Sequence, residues 1–210
     1  MNFKKAGANK KIPYVQSICH GKSVLDVGCV GQDNNFSSNA WVHRHLKDVA
    51  SSLTGVDINK KGIDEAVKLG YHIIHVDNLG QQTFDIITML DVIEHVDDIC
   101  NFISMYERHL NPGGKLIITT PNPFNIRQFF NILLFGLPSI NPEHTTFIDP
   151  INFLEIANRV EMKIESFSWL KEYDQPKKMY MRILQSTVFP VFRSFRNHFQ
   201  ANYAVVLIKL

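Results

Sequence analysis

The sequence lacks the long apolar segments and paired cysteines of membrane-spanning and disulfide-bonded secreted proteins. No window of its 210 residues approaches the roughly 18 uninterrupted apolar residues that a membrane-spanning helix needs. The lysine-rich segment Met1–Ile12 has no apolar run behind it, so it does not predict a secretory signal. Cys19, Cys29 and Cys100 have no second cysteine or histidine at a metal-ligand spacing. We therefore expect reduced thiols, a cytoplasmic protein and no metal site.

Acidic residues are absent from the end of the chain. All 20 of them lie at or before Asp174, together with 16 of the 22 basic residues, and six basic residues follow. The segment 175–200 is therefore basic, and it is rich in aromatic residues. Over 179–199 this composition suits peripheral contact with an anionic membrane, and it also suits a homodimer interface or burial in the core. No motif for sequence-specific nucleic-acid recognition accompanies it.

Repeats, low-complexity tracts and Gly/Ser-rich linkers are also absent, which predicts one domain over residues 1–210. Short apolar runs rich in β-branched residues alternate with helical stretches, the pattern of an α/β protein. We predict a single doubly wound, mostly parallel sheet of seven strands with about six helices around it. The predicted strands are 23–27, 53–56, 71–76, 84–89, 115–120, 162–169 and 203–210. The predicted helices include 40–51, 60–69, 97–110 and one opening at Asp149.

Polar residues and glycines follow the first three predicted strands. In open α/β sheets, ligands bind outside the carboxyl ends of the strands. The first strand passes through Asp26 into a turn with Gly28 and Gly31, where glycine lets the backbone come close to a ligand. Asp57 ends the second strand and can accept hydrogen bonds from ribose hydroxyls, and Asp77-Asn78 follows the third. Together they predict a site for a nucleoside-type cofactor.

The chain resembles the class I S-adenosylmethionine-dependent methyltransferases over roughly residues 22–169, with 203–210 as the final strand. The stretches that match are Val24–Cys29, Gly55–Ile58, Phe84–Val96 and Leu110–Leu116. The third is the most specific, because its apolar strand lies between Phe-Asp and Glu-His. It resembles the branch that methylates ubiquinone precursors, other small molecules and sugars. The segment Trp41–His45 is also similar to methyltransferases of polysaccharide and glycan biosynthesis.

This resemblance implies S-adenosylmethionine as the cofactor. It also implies the strand order 3-2-1-4-5-7-6, with the last strand antiparallel. The turn at Gly28 would hold the methionine part, Asp26 its amino group and Asp57 the ribose. Asp77 and Asn78 would flank the adenine. The full set of implied cofactor-binding residues is Asp26, Gly28, Gly31, Asp57, Ile58, Asp77, Asn78, Met89 and Leu90.

The turn departs from the family pattern at two positions. The family usually has Gly-x-Gly-x-Gly, whereas Val30 and Gln32 replace the second and third glycines here. Either the variant loop still binds cofactor, or the chain is a non-catalytic cofactor-binding or scaffold protein on a methyltransferase fold. A nicotinamide-dependent oxidoreductase is disfavoured, because its fingerprint needs a third glycine at the helix start.

Methyl transfer to oxygen requires a base for the acceptor's proton, and histidine titrates in the right range. His95 and His144 are the candidate catalytic residues, and His43 is a third option. A packing role for His95 and a solvated loop position for His144 are the alternatives. The apolar segment 124–147 is interpreted as a lid over the acceptor pocket or as a buried helix. We expect a methyltransferase acting on a small-molecule or glycan acceptor, most readily at oxygen.

Overall fold

A single mixed sheet forms the centre of the computed structural model, which describes residues 6–32, 34–171, 179–195 and 197–210. Its strand order is β1-β7-β8-β6-β5-β2-β3-β4, and β8 runs antiparallel to its neighbours β6 and β7. All other neighbouring strands are parallel. The strands are β1 (Ala8–Lys10), β2 (Ser23–Val27), β3 (Ser52–Asp57), β4 (Ile73–His75), β5 (Phe84–Leu90), β6 (Leu110–Pro121), β7 (Lys163–Lys171) and β8 (Asn202–Ile208).

The predicted α/β fold with an antiparallel last strand is confirmed. Without β1, the order across the sheet is the expected 3-2-1-4-5-7-6. The expected number of seven strands becomes eight in the described part of the chain, because β1 adds an edge strand. It pairs with β7 in the register Ala8 to Trp169. Its three residues are too few and too polar to show an alternating pattern, so β1 could not be predicted from local periodicity.

The described residues form seven α-helices. They are α1 (Lys11–Cys19), α2 (Val42–Lys47), α3 (Lys60–Lys68), α4 (Ile99–Glu107), α5 (Ile126–Phe135), α6 (Asn152–Arg159) and α7 (Met179–Phe195). Of these, α5 and α7 pack against each other. Local signals set several ends: the Asp98 carboxylate accepts a hydrogen bond from the Asn101 N–H at the start of α4. Within the described ranges, no helix is both long and apolar enough to cross a bilayer.

Several predicted boundaries shift for local reasons. The third predicted strand is cut to Ile73–His75, because the chain turns into a 3₁₀ helix at Val76–Asn78. The strand predicted over 115–120 begins earlier, because β6 starts at Leu110; its pairing with β5 is irregular before Lys115, and Gly113 adopts φ +72°. The helix expected over 40–51 is shorter, as α2 shows.

The core packs on both faces of the central strands. Leu25, Ile87 and Leu116 of β2, β5 and β6 are buried on one face, and their sequence neighbours Val24, Ile86 and Ile117 are buried on the other. Burial on two faces explains why consecutive residues of these strands are apolar. Since β2, β3 and β5 are parallel, their carboxyl ends meet at one edge, and this edge carries the site.

Candidate active site

Two adjoining cavities open at the carboxyl ends of β2, β3 and β5. One has a volume of about 320 Å³ and the other about 500 Å³. Gly28, Gly31, Asp91 and His95 line both of them. The cavities therefore form a cleft that continues from the tip of β3 to the segment after β6.

The turn after β2 separates the two halves of this cleft. Gly28 has φ +70°, and a Cβ added there would lie 2.7 Å from Cγ2 of Val92. Gly31 also adopts a positive φ, +72°. Both values favour glycine, and the contact with Val92 leaves no room for a side chain at Gly28. The turn thus brings bare backbone to the wall of the cleft.

Val30, the first departure from the family pattern, points away from the cleft. It is buried in a cluster with Ile63 and Ala66 of α3 and lines neither cavity. Its Cγ1 lies 2.3 Å from the position of a Cβ built on Gly62. The hollow expected for a cofactor therefore remains open despite the β-branched residue in the turn.

Asp57 lines the 320 Å³ cavity at the end of β3. Its carboxylate oxygens accept hydrogen bonds from the N–H of Val30 and the N–H of Asn59, each at 2.9 Å. A carboxylate can accept about four hydrogen bonds, so these two fix its orientation and leave acceptor sites for a ligand. Ile58, with its side chain largely exposed, and Val76 line the same cavity.

Asp26 lines the 500 Å³ cavity and is almost fully buried. One carboxylate oxygen accepts a 2.6 Å hydrogen bond from the Thr88 hydroxyl, and the other lies 2.9 Å from Nδ1 of His43. Leu90 lines this cavity as well. Asp26 of β2, Asp57 of β3 and Leu90 of β5, all predicted from the sequence, therefore line the same cleft.

Three other predicted cofactor residues lie outside the walls of these cavities. Asp77 and Asn78 belong to the 3₁₀ helix after β4, and the Asp77 side chain is 82% exposed. Met89 is fully buried in the core, on the opposite face of β5 from its neighbour Leu90. Asp77 and Asn78 lie outside the cavity walls because β4 ends early. Met89 lies outside them because side chains alternate between the two faces of β5.

His95 and His144 line the 500 Å³ cavity side by side, in an edge-to-face contact with ring centroids 4.7 Å apart. Nδ1 of His95 lies 3.1 Å from the carbonyl oxygen of Glu143. Since a carbonyl only accepts, Nδ1 carries the proton and Nε2 of the neutral ring is free to act as a base. Burial, and then the neighbouring His95, lower the pKa of His144.

Glu94 is a site residue that the sequence analysis did not assign, although it belongs to the Glu-His string. It is buried and lines the 500 Å³ cavity. Its Oε2 accepts a hydrogen bond from the Thr120 hydroxyl at 3.0 Å, and Oε1 has no partner among the described residues. Burial, and then the charge of Asp91, raise the pKa of Glu94 to about 8.

Glu94, His95 and His144 also form a group with the character of a metal site, which the sequence analysis did not expect. Each offers one ligand atom, and these atoms lie within 4.8 Å of one another. Carboxylate oxygen and imidazole nitrogen are ligands of zinc and other divalent ions. Oε1 of Glu94 and Nδ1 of His144 have no hydrogen-bond partner among the described residues. A bound cation, or a polar group of the methyl-accepting substrate, would give these atoms a partner.

Lys11 is a second residue that sequence reasoning missed. Its ammonium group, at the start of α1, forms an ion pair with Asp91 and lines the 500 Å³ cavity. The hydroxyl of Thr119 donates a 2.9 Å hydrogen bond to the other Asp91 oxygen. Eighty positions separate Lys11 from Asp91, so no local pattern reveals the pair.

Comparison with known proteins identifies the family. The family model described as "Methyltransferase domain" matches residues 9–167, which is more than half of the chain. The chain belongs to the methyltransferase family. This methyltransferase is similar to the ubiquinone biosynthesis O-methyltransferase of Shewanella halifaxensis, with 25% identity over 172 residues that cover 72% of this chain and 69% of the relative.

Solved structures agree on the fold. A S-adenosylmethionine-dependent methyltransferase from Archaeoglobus fulgidus superposes with a TM-score of 0.62 at 15% identity, covering 94% of this chain and 90% of that one. The N-methyltransferase NodS from Bradyrhizobium japonicum, solved with S-adenosyl-L-homocysteine, gives a TM-score of 0.52 at 12% identity and covers 95% of this chain and 84% of its own. The class I S-adenosylmethionine-dependent methyltransferase expected from the sequence is confirmed, with S-adenosylmethionine as its cofactor.

The alignments leave part of the relatives' chains unmatched. This methyltransferase spans 69%, 62% and 64% of the first three curated relatives. These relatives are O-methyltransferases by name, whereas NodS is an N-methyltransferase. The acceptor and the atom that is methylated are therefore matters for a proposal.

Proposed function

We propose that this methyltransferase transfers a methyl group from S-adenosylmethionine to an oxygen atom of a small-molecule or glycan acceptor. The observation that carries the proposal is the continuous cleft. It places the Asp57 end, suited to a nucleoside, next to an end that holds His95 and His144. Donor and acceptor would meet where the two cavities join.

The cofactor residues are proposed from their positions in the cleft. The free acceptor sites of Asp57 would bind the ribose hydroxyls, with Ile58 and Val76 against the base. Gly28 and Gly31 would approach the methionine part. The carboxylate of Asp26 would attract its ammonium group, and Lys11 its carboxylate. Leu90 would contact the region of the sulfonium, whereas Asp77, Asn78 and Met89 receive no direct contact in this arrangement.

The chain's own contribution to the reaction is alignment and proton transfer. When bound, the cofactor supplies a methyl group already activated on a sulfonium. Nε2 of His95 is the proposed base for the acceptor hydroxyl, because its Nδ1 proton is held by the Glu143 carbonyl. His144 is the second candidate, since its lowered pKa keeps it neutral and able to accept a proton.

Cofactor binding is the first test. Calorimetry with S-adenosylhomocysteine should give saturable binding to the wild-type protein, and Asp57→Ala should weaken it by at least about tenfold. Asp64→Ala, which changes an exposed carboxylate on α3, is the matched control. Absence of binding at millimolar ligand would remove the enzymatic function. Binding without turnover on any acceptor would favour the non-catalytic alternative.

The acceptor atom is tested with a cofactor that carries a labelled methyl group. Phenols, sugars with free hydroxyls and primary amines are offered in parallel, and the products are separated by mass spectrometry. The proposal expects an increase of one methyl group on a hydroxyl compound. Transfer only to amines would contradict methylation at oxygen.

The segment 124–147 is proposed as a cover for the acceptor end of the cleft. Its C-terminal part contributes Asn141 and His144 to the 500 Å³ cavity. The side chain of Glu143 accepts a hydrogen bond from the amide of Gln32, in the turn after β2. Helix α5 itself packs against α7 through Phe130 and Phe189, with ring centroids 5.5 Å apart.

Peripheral membrane contact is proposed for the surface that α5 and α7 share. Exposed apolar side chains of these helices include Phe129, Ile132, Leu133, Leu134, Met179, Ile183 and Val191. Arg182 is exposed on α7, and such a mixture suits an anionic bilayer surface. Residues 175–178 and 196 of the predicted basic segment lie outside the described residues. Sedimentation with anionic vesicles at low salt should pellet the protein. If the protein stays in the supernatant and is a dimer in analytical ultracentrifugation, the homodimer interface is favoured.

A further inference from the structure

The start of α2 brings two aromatic residues to the turn after β2 (residues 28–32), called the cofactor turn here. The indole N–H of Trp41 donates a 2.6 Å hydrogen bond to the carbonyl oxygen of Cys29. The Trp41 ring lies 5.4 Å from the His43 ring. Both residues line the 500 Å³ cavity, and His43 is only 2% exposed. The segment with the Trp-x-His sequence is thus part of the wall of the cleft.

His43 and Thr88 hold the Asp26 carboxylate from two sides. A carboxylate only accepts hydrogen bonds, so Nδ1 of His43 is the donor in its 2.9 Å contact with Oδ2. The Thr88 hydroxyl donates to Oδ1 at 2.6 Å. Because Asp26 is 3% exposed, water cannot replace either donor easily. Each oxygen therefore keeps one remaining acceptor direction fixed in space.

Asp26 is also the carboxylate that remains available for a cationic ligand group. Three carboxyl groups line the 500 Å³ cavity in the described part of the chain. Asp91 is ion-paired with Lys11. The Glu94 carboxyl lies within 4.8 Å of ring nitrogens of His95 and His144, at the end of the cavity proposed for the methyl acceptor. An ammonium group entering this cavity is therefore attracted chiefly by Asp26.

We propose that His43 is a positioning residue that orients Asp26 toward the α-amino group of S-adenosylmethionine. The inference rests on the placement of that amino group proposed above. It gives the Trp-x-His segment a role in cofactor recognition: Trp41 fastens the turn, and His43 fastens the carboxylate beside it. His43 acts through Asp26 and takes no proton from the acceptor.

The test compares two ligands, S-adenosylhomocysteine and its analogue without the α-amino group, by calorimetry. His43→Leu should weaken S-adenosylhomocysteine by about tenfold or more, the effect of losing one hydrogen bond to a charged group. The same variant should change the affinity of the deaminated analogue less than about threefold. His43→Asn, which can place an amide N–H near the position of Nδ1, should restore most of the affinity for S-adenosylhomocysteine.

A purely structural role predicts a different pattern. His43→Leu would then weaken both ligands equally, in proportion to a fall in melting temperature, and that result would overturn the proposal. If His43→Leu does not fold, Thr88→Val removes the opposite donor and must show the same selectivity for the amino group. A wild-type protein that binds both ligands equally would refute the Asp26 contact and the role of His43. A wild-type protein that binds neither would refute the cofactor site itself.

Discussion

Val30 stands where the family's usual turn has its second glycine, and its side chain packs against Gly62 of α3. The Cγ1 atom lies so close that a Cβ on Gly62 would be 2.3 Å away. A glycine on the helix thus makes room for a valine in the turn. The exchange leaves the cleft open and preserves the backbone contact between Val30 N–H and Asp57.

The contact predicts the effect of a methyl group at position 62. Gly62→Ala should destabilise the protein by about 1–3 kcal/mol in urea unfolding, although alanine is the better helix former. Val30→Ala combined with Gly62→Ala should be less destabilised than the sum of the two single variants, because the Cγ1 atom nearest the new methyl group is gone. Lys61→Ala, on the exposed side of the same helix, is the control and should change little. Equal stability of Gly62→Ala and wild type would contradict this packing.

The buried carboxyl of Glu94 predicts a stability that falls as pH rises. Its pKa is near 4.5 when unfolded and about 8 in the folded protein, so the folded state holds the extra proton between these values. The free energy of unfolding should fall through this window, by at most about 1.4 kcal/mol per pH unit from this group.

Glu94→Gln tests that dependence because glutamine cannot ionise. The variant should gain stability relative to wild type between pH 5 and pH 8, as measured by urea unfolding at both values. Glu161→Gln, at an exposed position, should show no such trend. A constant difference between Glu94→Gln and wild type across the range would mean that Glu94 ionises normally.

His95 and His144, the two proposed bases, predict separate losses of turnover. At saturating cofactor, His95→Ala should lower the rate of methyl transfer to a hydroxyl acceptor by about 100-fold or more. His144→Ala should also lower it, while cofactor affinity stays within a few fold. His72→Ala, on the exposed surface, is the control. Because the pKa of His144 is lowered, the rate it supports should persist to more acidic pH than an ordinary histidine allows. Unchanged rates in both variants would assign the acceptor proton to another group.

The grouping of Glu94, His95 and His144 predicts binding of a divalent ion. Zn²⁺ added to chelator-treated protein should give saturable heat in calorimetry, and His144→Ala should weaken the binding by about tenfold or more. The effect on turnover then separates two roles. Inhibition by the ion means that the histidine nitrogens act as bases, and activation means that they act as ligands. No binding at all would contradict the metal site.

The sequence predicts the parts of the site that follow from local pattern. Asp26, Gly28 and Asp57 stand where a strand ends, and a strand end is visible as a change from apolar to polar and glycine residues. The same reasoning placed Asp77 at a strand tip, but β4 stops early and the chain turns into a 3₁₀ helix there. Local sequence pattern therefore predicts the ends of short strands less accurately than it predicts the strands themselves.

The contacts that complete the site depend on tertiary structure. Lys11 reaches Asp91 across the chain, and Glu94 is buried by β6 and the segment after α5, through Thr120 and the N–H of Thr145. The residues next to Lys11 and Glu94 in the sequence predict neither the ion pair of Lys11 nor the burial of Glu94. The tryptophan and histidine of α2 were visible as a motif, but their partners on β2 and in the turn were not.

The segment proposed to cover the acceptor is held by two contacts of Glu143, whose side chain accepts a hydrogen bond from the Gln32 amide and whose carbonyl oxygen lies at His95. Swapping this stretch with that of a relative, to graft a new substrate preference, would therefore also disturb the grip on the donor. Chimeras built at these junctions should carry position 32 along with the grafted loop. The proposed cover thus predicts that a change in acceptor specificity also changes the affinity for the cofactor.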